Sequence, residues 1–483
     1  MNIDIHVADH VFARGFILSE HSASELEGLL WGKPYATNLD KWHKTFFGPC
    51  TLWTDPLLNY ARTRDARFGV GIMGLCINPF DGLSDNQKIA DALYQALAQN
   101  RSAFFDYVDQ LSGSFIIIYR ENADVFLLQD TAATKPIYYH RTSGGRLTAT
   151  SHAAILHQIY GLPPDTRAQT VYASDTYRED PSRYLPGMIT PYEKALPLTA
   201  NNQLEVKSGT SQRFFPREEL APRPFNDRIV DEIAEIMVQQ ACMIGALERP
   251  LTLAATGGRD SRVSAAAFSG QPNLSYHSFH IPRTGHLTED VNLARKLAQI
   301  EGVPLDVYDL QAYPITEFQK PFKVHSPRGI WPAAALCYLI EFPRDAIHIR
   351  SSVAEIGRAF YKKRREKFVS DRELAKSFTN TAFGADPMVI ATMKDFIKHT
   401  NFDEKLFFNY SFYDMFYWEH RLSKWQNVLC SEAEIATDVF IPFNNRNLMK
   451  MFLSVPYENR VSIDIHHALC KKLKPEFSNV PFF

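Results

Sequence analysis

The segment Leu251-Thr-Leu-Ala-Ala-Thr256-Gly257-Gly258-Arg259-Asp260-Ser261-Arg262 collects residue types suited to holding a polyphosphate. An apolar run fit for a buried strand ends at Thr256, two glycines follow, and a helical pattern starts at Asp260. Two glycines let the backbone turn sharply and approach a ligand with no Cβ in the way. The loop N–H groups and the positive end of the helix then face one space, forming an anion nest. Thr256 and Ser261 add hydroxyl donors. Asp260 repels a bare phosphate, so its place in the loop implies a Mg2+ ion joining carboxylate to phosphate. No Lys follows the glycines, which excludes the GxxxxGK[ST] loop. A plain Gly-Gly turn with an Asp or Ser cap is the alternative reading.

Alternating elements must position this loop. The periodicity predicts an amphipathic helix over residues 227–247, strands over 251–255, 274–281 and 305–310, and helices over 260–268 and 288–300. Strand–helix–strand spacing of this kind argues for a parallel sheet with crossovers. Beyond about residue 370 the pattern is mostly helical. Upstream, β-branched and aromatic runs bounded by Asn, Gly and Asp predict strands over 67–77, 113–119, 124–129, 137–140, 146–150 and 203–207, with one helix over 86–98. That half reads as packed antiparallel sheets with helices. Prolines 216, 222 and 224 make a stiff connector between the halves. Gly69-Val-Gly-Ile-Met-Gly74 fits GxGxxG by letter, but strand-like residues continue past it and no helix start follows, so a packed strand is expected there.

The chain has 483 residues, 45% hydrophobic and 22% charged, enough apolar material for more than one core. Lys+Arg 52 against Asp+Glu 54 leaves a formal charge of −2, so no basic field marks a nucleic-acid binder. Six scattered cysteines without a CxxC pair read as small core residues in a reducing compartment. Without a secretory pattern or a run of 18 apolar residues, a cytoplasmic protein with no membrane partner is expected.

The loop resembles the SGGxDS pyrophosphate loop of ATP pyrophosphatases, with Thr256 at the first Ser. Leu274-Ser-Tyr-His-Ser-Phe-His280, followed by Thr288-Glu-Asp290, is similar to the next strand and helix of asparagine synthetases. Leu111-Ser-Gly-Ser-Phe115, Asp130-Thr-Ala-Ala-Thr-Lys135-Pro-Ile-Tyr-Tyr139 and Leu147-Thr-Ala-Thr-Ser151 resemble their glutaminase domain. The resemblance implies a degenerate αββα Ntn-amidotransferase-like sandwich over residues 1–216. Residues 217–483 would then be an α/β pyrophosphate-loop (adenine nucleotide α-hydrolase-like) synthetase domain with a helical extension. It implies ATP held by Leu253, Thr256, Gly257, Gly258, Arg259, Asp260, Ser261, Phe279 and Asp290, and Mg2+ held by Asp260 and Glu355. Phe279 has a core aromatic as its alternative reading, and Glu355 a metal-free carboxylate at a helix start. A catalytic cation near the chain end falls to Lys471 or Lys472, or to a neighbouring His; a surface lysine pair is the alternative.

Several positions depart from the family pattern. Ser351-Ser352 stand where glycines are expected, Asp438 stands for Glu and Phe440 for Arg. Residue 2 is Asn rather than the nucleophilic Cys, and the first Cys is Cys50, so no glutamine hydrolysis is expected. The basic run Lys362-Lys-Arg-Arg-Glu-Lys367 reads as a solvated face, or as a recruiter of an anionic substrate. The implied activity resembles that of β-lactam synthetases: adenylation of a small-molecule carboxylate, then attack by an amine or ammonia. Two other readings stay open, a non-catalytic nucleotide-binding homologue and a thiolation or nucleobase-modifying enzyme. A homodimer is also left open.

Overall fold

The computed structural model describes all residues except 1–6, 180–182, 281–284, 328–330, 363–368, 380 and 483; the side chains of residues 179 and 285–287 are also outside it. The expectations for Asn2 and for Lys363, Arg364, Arg365 and Lys367 lie outside the described residues.

Among the described residues the first half carries twelve strands. These are β1 (Phe16–Ser19), β2 (His43–Phe47), β3 (Cys50–Thr54), β4 (Tyr60–Arg64), β5 (Phe68–Ile77), β6 (Ser112–Glu121), β7 (Asp124–Gln129), β8 (Tyr138–Arg141), β9 (Leu147–Thr150), β10 (Leu196–Pro197), β11 (Asn202–Glu205) and β12 (Thr210–Arg213). They form two six-stranded sheets, ordered β10-β8-β9-β1-β3-β2 and β12-β11-β7-β6-β5-β4. The run Ile116-Ile117-Ile118-Tyr119 shows why both faces are covered. Side chains alternate along a strand, so Ile116 and Ile118 enter the core between the sheets with Phe16, Leu18 and Leu52. Ile117 and Tyr119 enter the core under the helices Asn86–Gln99 and Arg101–Val108. Ala23–Leu30 and Ala153–Tyr160 cover the opposite sheet over Ile17 and Trp53. The order is therefore helix, sheet, sheet, helix. Each fully buried Ile contributes roughly 2 kcal/mol to holding these layers together.

The GxGxxG letters lie within β5, paired to β4 and β6 along their length. Gly74 sits at φ +114, and a Cβ there would meet the Ser114 carbonyl oxygen at 2.3 Å, so strand packing alone requires this glycine. Cys50, Cys76, Cys337, Cys430 and Cys470 are buried as expected; Cys242 is exposed instead, on the outer face of a long helix.

That helix, Asp227–Gly245, opens the second half after an Asn226 cap and buries Ile229, Ile233 and Met237. Five strands follow: β13 (Leu251–Ala254), β14 (Leu274–His280), β15 (Leu305–Asp309), β16 (Ile347–Ile349) and β17 (Asp438–Phe440). Every pair is parallel and the order is β15-β14-β13-β16-β17. The chain lays strands outward on one side of β13, then returns to the other. The direction of winding reverses between β13 and β16, and in open parallel sheets ligands bind outside the carboxyl ends at such a reversal. Among the described residues no helix is long and apolar enough to cross a membrane.

The halves meet along a buried polar seam. Asp130 accepts from the Thr134 and Lys135 N–H groups, the Thr134 hydroxyl and the Asn444 amide, at 2.8–3.0 Å. Lys135 pairs with Glu434 at 2.9 Å, and Arg14 with Asp438 at 2.9 Å. Asp438 thus serves the junction, also pairing with Arg249 at 2.7 Å, while Phe440 is wholly buried.

Candidate functional site

The helix Arg259–Ala267 starts directly behind the Gly257-Gly258 turn. Gly258 is its N-cap and supplies no side-chain acceptor, so the first-turn N–H groups have no side-chain cap. The turn itself is already tied down. The Gly257 N–H donates to Asp290 Oδ1 at 2.8 Å, and the Gly258 N–H donates to Thr256 Oγ1 at 3.1 Å. Thr256 and Ser261 hydroxyls lie 2.8 Å apart. The expected nest is thus only partly open: Asp290, expected beside a nucleotide, reaches the loop and occupies one of its donors.

Asp260 and Glu355, distant in sequence, come together across the winding reversal, one behind β13 and one behind β16. Arg358 lies between them, its Nη2 2.8 Å from Asp260 Oδ2 and 3.8 Å from Glu355 Oε1. Glu355 and Arg358 belong to the 3-10 turn Ala354–Arg358. Side chains three apart eclipse in that geometry, which stacks this acid on this base. The turn is bracketed by Val353 at φ +75 and Ala359 at φ +46. Left-handed backbone at a β-branched residue is costly and persists only where surrounding packing enforces it. Tyr417 donates to Glu355 Oε2 at 2.9 Å. A Cβ on Gly357 would meet the His466 ring at 2.9 Å, so glycine there lets His466 in.

Burial first, and the nearby Glu355 second, push the Asp260 carboxyl up to about 7, against the pull of Arg358 and Arg259. Its Oδ1 is buried with no hydrogen-bond partner. His466 Nε2 comes within 3.6 Å of that oxygen, yet this is no ion pair. Burial drives His466 down to about 3, and its Nε2–H goes to the Ala354 carbonyl at 3.1 Å. The Ser351 and Ser352 hydroxyls, which stand where glycines were expected, are also buried without partners. Unmet buried polar atoms also occur elsewhere in the chain, at His348 and Gln240 for example, so it is the meeting of Asp260, Glu355 and Arg358 that distinguishes this place.

Phe279 is half-buried at the end of β14, on the face covered by the helix Pro332–Glu341. It lines a cavity of about 230 Å³ with Leu310, Trp331, Tyr338, Arg350 and Glu432. Leu253 is wholly buried and pairs in register with Tyr276, which puts it on the opposite face of the sheet from Phe279. It is a core residue and does not reach that cavity.

The lysines do not join the cluster. Lys472 pairs with Asp231 at 2.8 Å on an exposed surface, and Lys471 is exposed one helical turn beyond His467. The same helix, Asp464–Leu473, instead presents its first turn to the site. His466 faces Asp260, and His467 accepts from Arg259 Nε at 3.0 Å. Arg262, fully buried, ties the Gly257 carbonyl (3.4 Å) to the Pro481 carbonyl (2.7 Å), holding the final segment against the loop. Sequence reasoning missed Arg358 and Tyr417, and left His466 only as an unnamed histidine neighbouring the lysines. Only the i,i+3 spacing of Glu355 and Arg358 carried a signal, and reading it required knowing that a 3-10 turn sits there.

No protein-family model matches the chain, and no curated protein matches it. Among solved structures it overlaps glutamine phosphoribosylpyrophosphate amidotransferase from B. subtilis complexed with ADP and GMP. There the identity is 9%, the coverage 73% of this chain and 72% of that one, and the TM-score 0.24. A structure described as the allosteric regulatory enzyme of purine biosynthesis overlaps with 8% identity, 77% and 73% coverage, and a TM-score of 0.24.

Proposed function

We propose that the chain is an ATP-dependent, amide-forming ligase of asparagine-synthetase-like organisation, which adenylates a small-molecule carboxylate, releases pyrophosphate and passes the acyl group to an amine or ammonia. One observation carries the reading: two carboxylates from different chain segments meet at Arg358 beside a Gly-Gly helix start, at the winding reversal of a parallel sheet. The donor set suits magnesium. Among the described residues no three His, Cys, Asp or Glu side chains cluster, and magnesium is commonly held by one or two carboxylates plus phosphate oxygens and water. Asp260 and Glu355 would hold it, and bound there it would neutralise charge on the phosphates.

The chain's own groups account for the rest. The uncapped first turn of Arg259–Ala267 and the Thr256 and Ser261 hydroxyls receive the leaving pyrophosphate. Arg259 and Arg358 supply positive charge on the side where negative charge accumulates, and fixed cations of this kind lower a barrier because they need no reorganisation. The cavity bounded by Phe279 and Tyr338 offers an aromatic wall for the base. The first half contributes no thiol: of its two cysteines, burial pushes Cys50 up to about 12 and Cys76 far above its ordinary value. Nitrogen therefore comes from the amine substrate or from free ammonia.

A second reading, nucleotide binding without chemistry, is favoured by the Gly257 and Gly258 N–H groups already being bonded within the protein. Pyrophosphate release separates the two. The full chain is incubated with ATP, Mg2+ and a metabolite extract, with acyl-adenylates sought by mass spectrometry. Release above background that disappears in Asp260→Asn supports the ligase. Nucleotide binding with no release under any acid supports the second reading.

A further inference from the structure

We propose that Arg358 is a resident cation that occupies the metal's place between Asp260 and Glu355 and makes metal binding conditional on a phosphate-bearing ligand. The inference rests on the assignment of those two carboxylates as the metal-holding pair.

The geometry is specific. One guanidinium nitrogen approaches a carboxylate from each of two chain segments, at 2.8 and 3.8 Å. Arg358 is held there by the eclipsed 3-10 turn, with left-handed residues at both ends fixing the direction from which the side chain arrives. Its Nε is buried and has no partner, so the side chain is only partly satisfied in this position. Asp260 is only half served as well: Arg358 takes Oδ2 and leaves Oδ1 bare. No Lys or other Arg side chain pairs with Asp260 or Glu355 among the described residues: His466 Nε2 is engaged by the Ala354 carbonyl and Arg259 turns toward His467.

Two carboxylates this close repel one another unless a cation sits with them, and a tethered guanidinium supplies one at no cost in association. A free divalent ion must then displace Arg358 to gain both acids, and it arrives alone with no compensating partner for the expelled guanidinium. Phosphate oxygens change this balance, because a planar guanidinium can leave a carboxylate for a bidentate phosphate contact without losing hydrogen bonds. Arg358 would thus keep the site closed to bare cations and open it to cations accompanied by phosphate. At the Asp130 cluster the acid is served by four neutral donors, two of them backbone N–H groups, and no guanidinium bridges it to a second acid among the described residues.

The test uses Mn2+ alone, followed by electron paramagnetic resonance of the free ion, on the full chain. Arg358→Gln is expected to bind Mn2+ about tenfold or more tightly than the wild type, because it removes a positive charge from within contact of both ligands. Thermal unfolding should show the same contrast, with Mn2+ raising the Tm of Arg358→Gln and barely moving that of the wild type. Equal affinity in the two proteins, including no binding by either, overturns the proposal. If Arg358→Gln does not fold, Arg358→Lys serves. Its ammonium carries the same charge on a shorter side chain without the planar fork, so it holds the two acids less firmly; a gain of about threefold is expected, and an unchanged affinity overturns the proposal. A separate titration with a non-hydrolysable ATP analogue keeps the two ideas apart. Failure of the wild type to bind the analogue defeats the nucleotide reading, while the Mn2+ result still decides the role of Arg358.

Discussion

Two buried polar clusters in this molecule look alike in composition and differ in what they leave unmet. At the seam, Asp130 accepts four hydrogen bonds, Lys135 and Ser114 both reach Glu434, and Asn444 uses both ends of its amide on Ala132 and Gly113. At the winding reversal the charged groups themselves are left short: Asp260 Oδ1 and Arg358 Nε have no partner, whereas at the seam the unpartnered atoms are neutral ones, Gln129 Oε1 and Thr131 Oγ1. A charged group fully served by its neighbours rigidifies a junction, and one with bare atoms keeps capacity for a further partner. The residue types alone, an acid, a base and hydroxyls in each case, do not tell these apart. Saturation does.

The contrast is broken most severely at the seam. Asp130→Ala strands two backbone N–H groups, a hydroxyl and an amide in the interior, and is expected to destabilise the chain by about 3–5 kcal/mol, read as a lowered urea midpoint. A midpoint within error of the wild type would mean that water reaches these groups and that the seam is not a closed network.

Acid should attack the same junction. His152 from the first half and His325 from the second lie with tilted rings 4.6 Å apart, where burial and their mutual repulsion depress His152 and burial lowers His325 to about 4. Both stay neutral in the folded chain, whereas the unfolded chain protonates them below about pH 6.5. The unfolded state then binds more protons, so stability falls as pH drops from about 6.5 toward 4, by about 1.4 kcal/mol per pH unit for each ring. His325→Asn keeps an acceptor for the Phe12 N–H and cannot titrate. Its stability should therefore fall about 1 kcal/mol per pH unit less steeply than that of the wild type. Parallel slopes in the two proteins would remove the histidine pair from the account.

Ser351→Ala and Ser352→Ala probe the other cluster. Removing a hydroxyl that makes no hydrogen bond is expected to change stability by less than about 0.5 kcal/mol in either direction, or to raise it slightly. Affinity for an ATP analogue should nevertheless fall by several-fold, because the ligand loses a donor. A loss of more than about 2 kcal/mol in stability would show that the hydroxyls have structural partners and would close the comparison between the clusters.

Periodicity and turn residues carried most of the fold. The β-branched and aromatic run over 113–119 and the 3.6 spacing of Ile229, Ile233 and Met237 predicted the strand and the helix that form there. The short strands Phe16–Ser19 and Cys50–Thr54 were not anticipated, because runs of four and five residues carry too little pattern to read. The loop at residues 256–261 was legible because glycines and a helix start are local features. Arg358 and His466 were not, since each reaches Asp260 only through tertiary contacts, one across neighbouring strands and the other from the penultimate helix. The basic run beginning at Lys362 drew attention instead. Yet the arginine that meets the acids lies four residues upstream of it, in a turn with no sequence signature of its own.

The smallest effect expected is at the lysines that sequence reasoning placed in the catalytic cluster. Lys472 is on the solvent side of its helix, in an exposed pair with Asp231, and the residues on that helix that turn inward are Ile465, His466, Leu469 and Cys470. A side chain directed away from the loop cannot stabilise charge developing there, and an exposed pair of this kind contributes little to the fold. Lys471→Ala and Lys472→Ala should therefore leave ATP-dependent pyrophosphate release within about twofold of the wild type and leave the Tm unmoved. His466→Asn, by contrast, removes the ring packed beside Asp260 and should lower release by tenfold or more. If a lysine variant proved the more damaging of the two, the last helix would have to turn inward during the reaction. The catalytic cation would then come from a rearranged chain end rather than from Arg358 and Arg259.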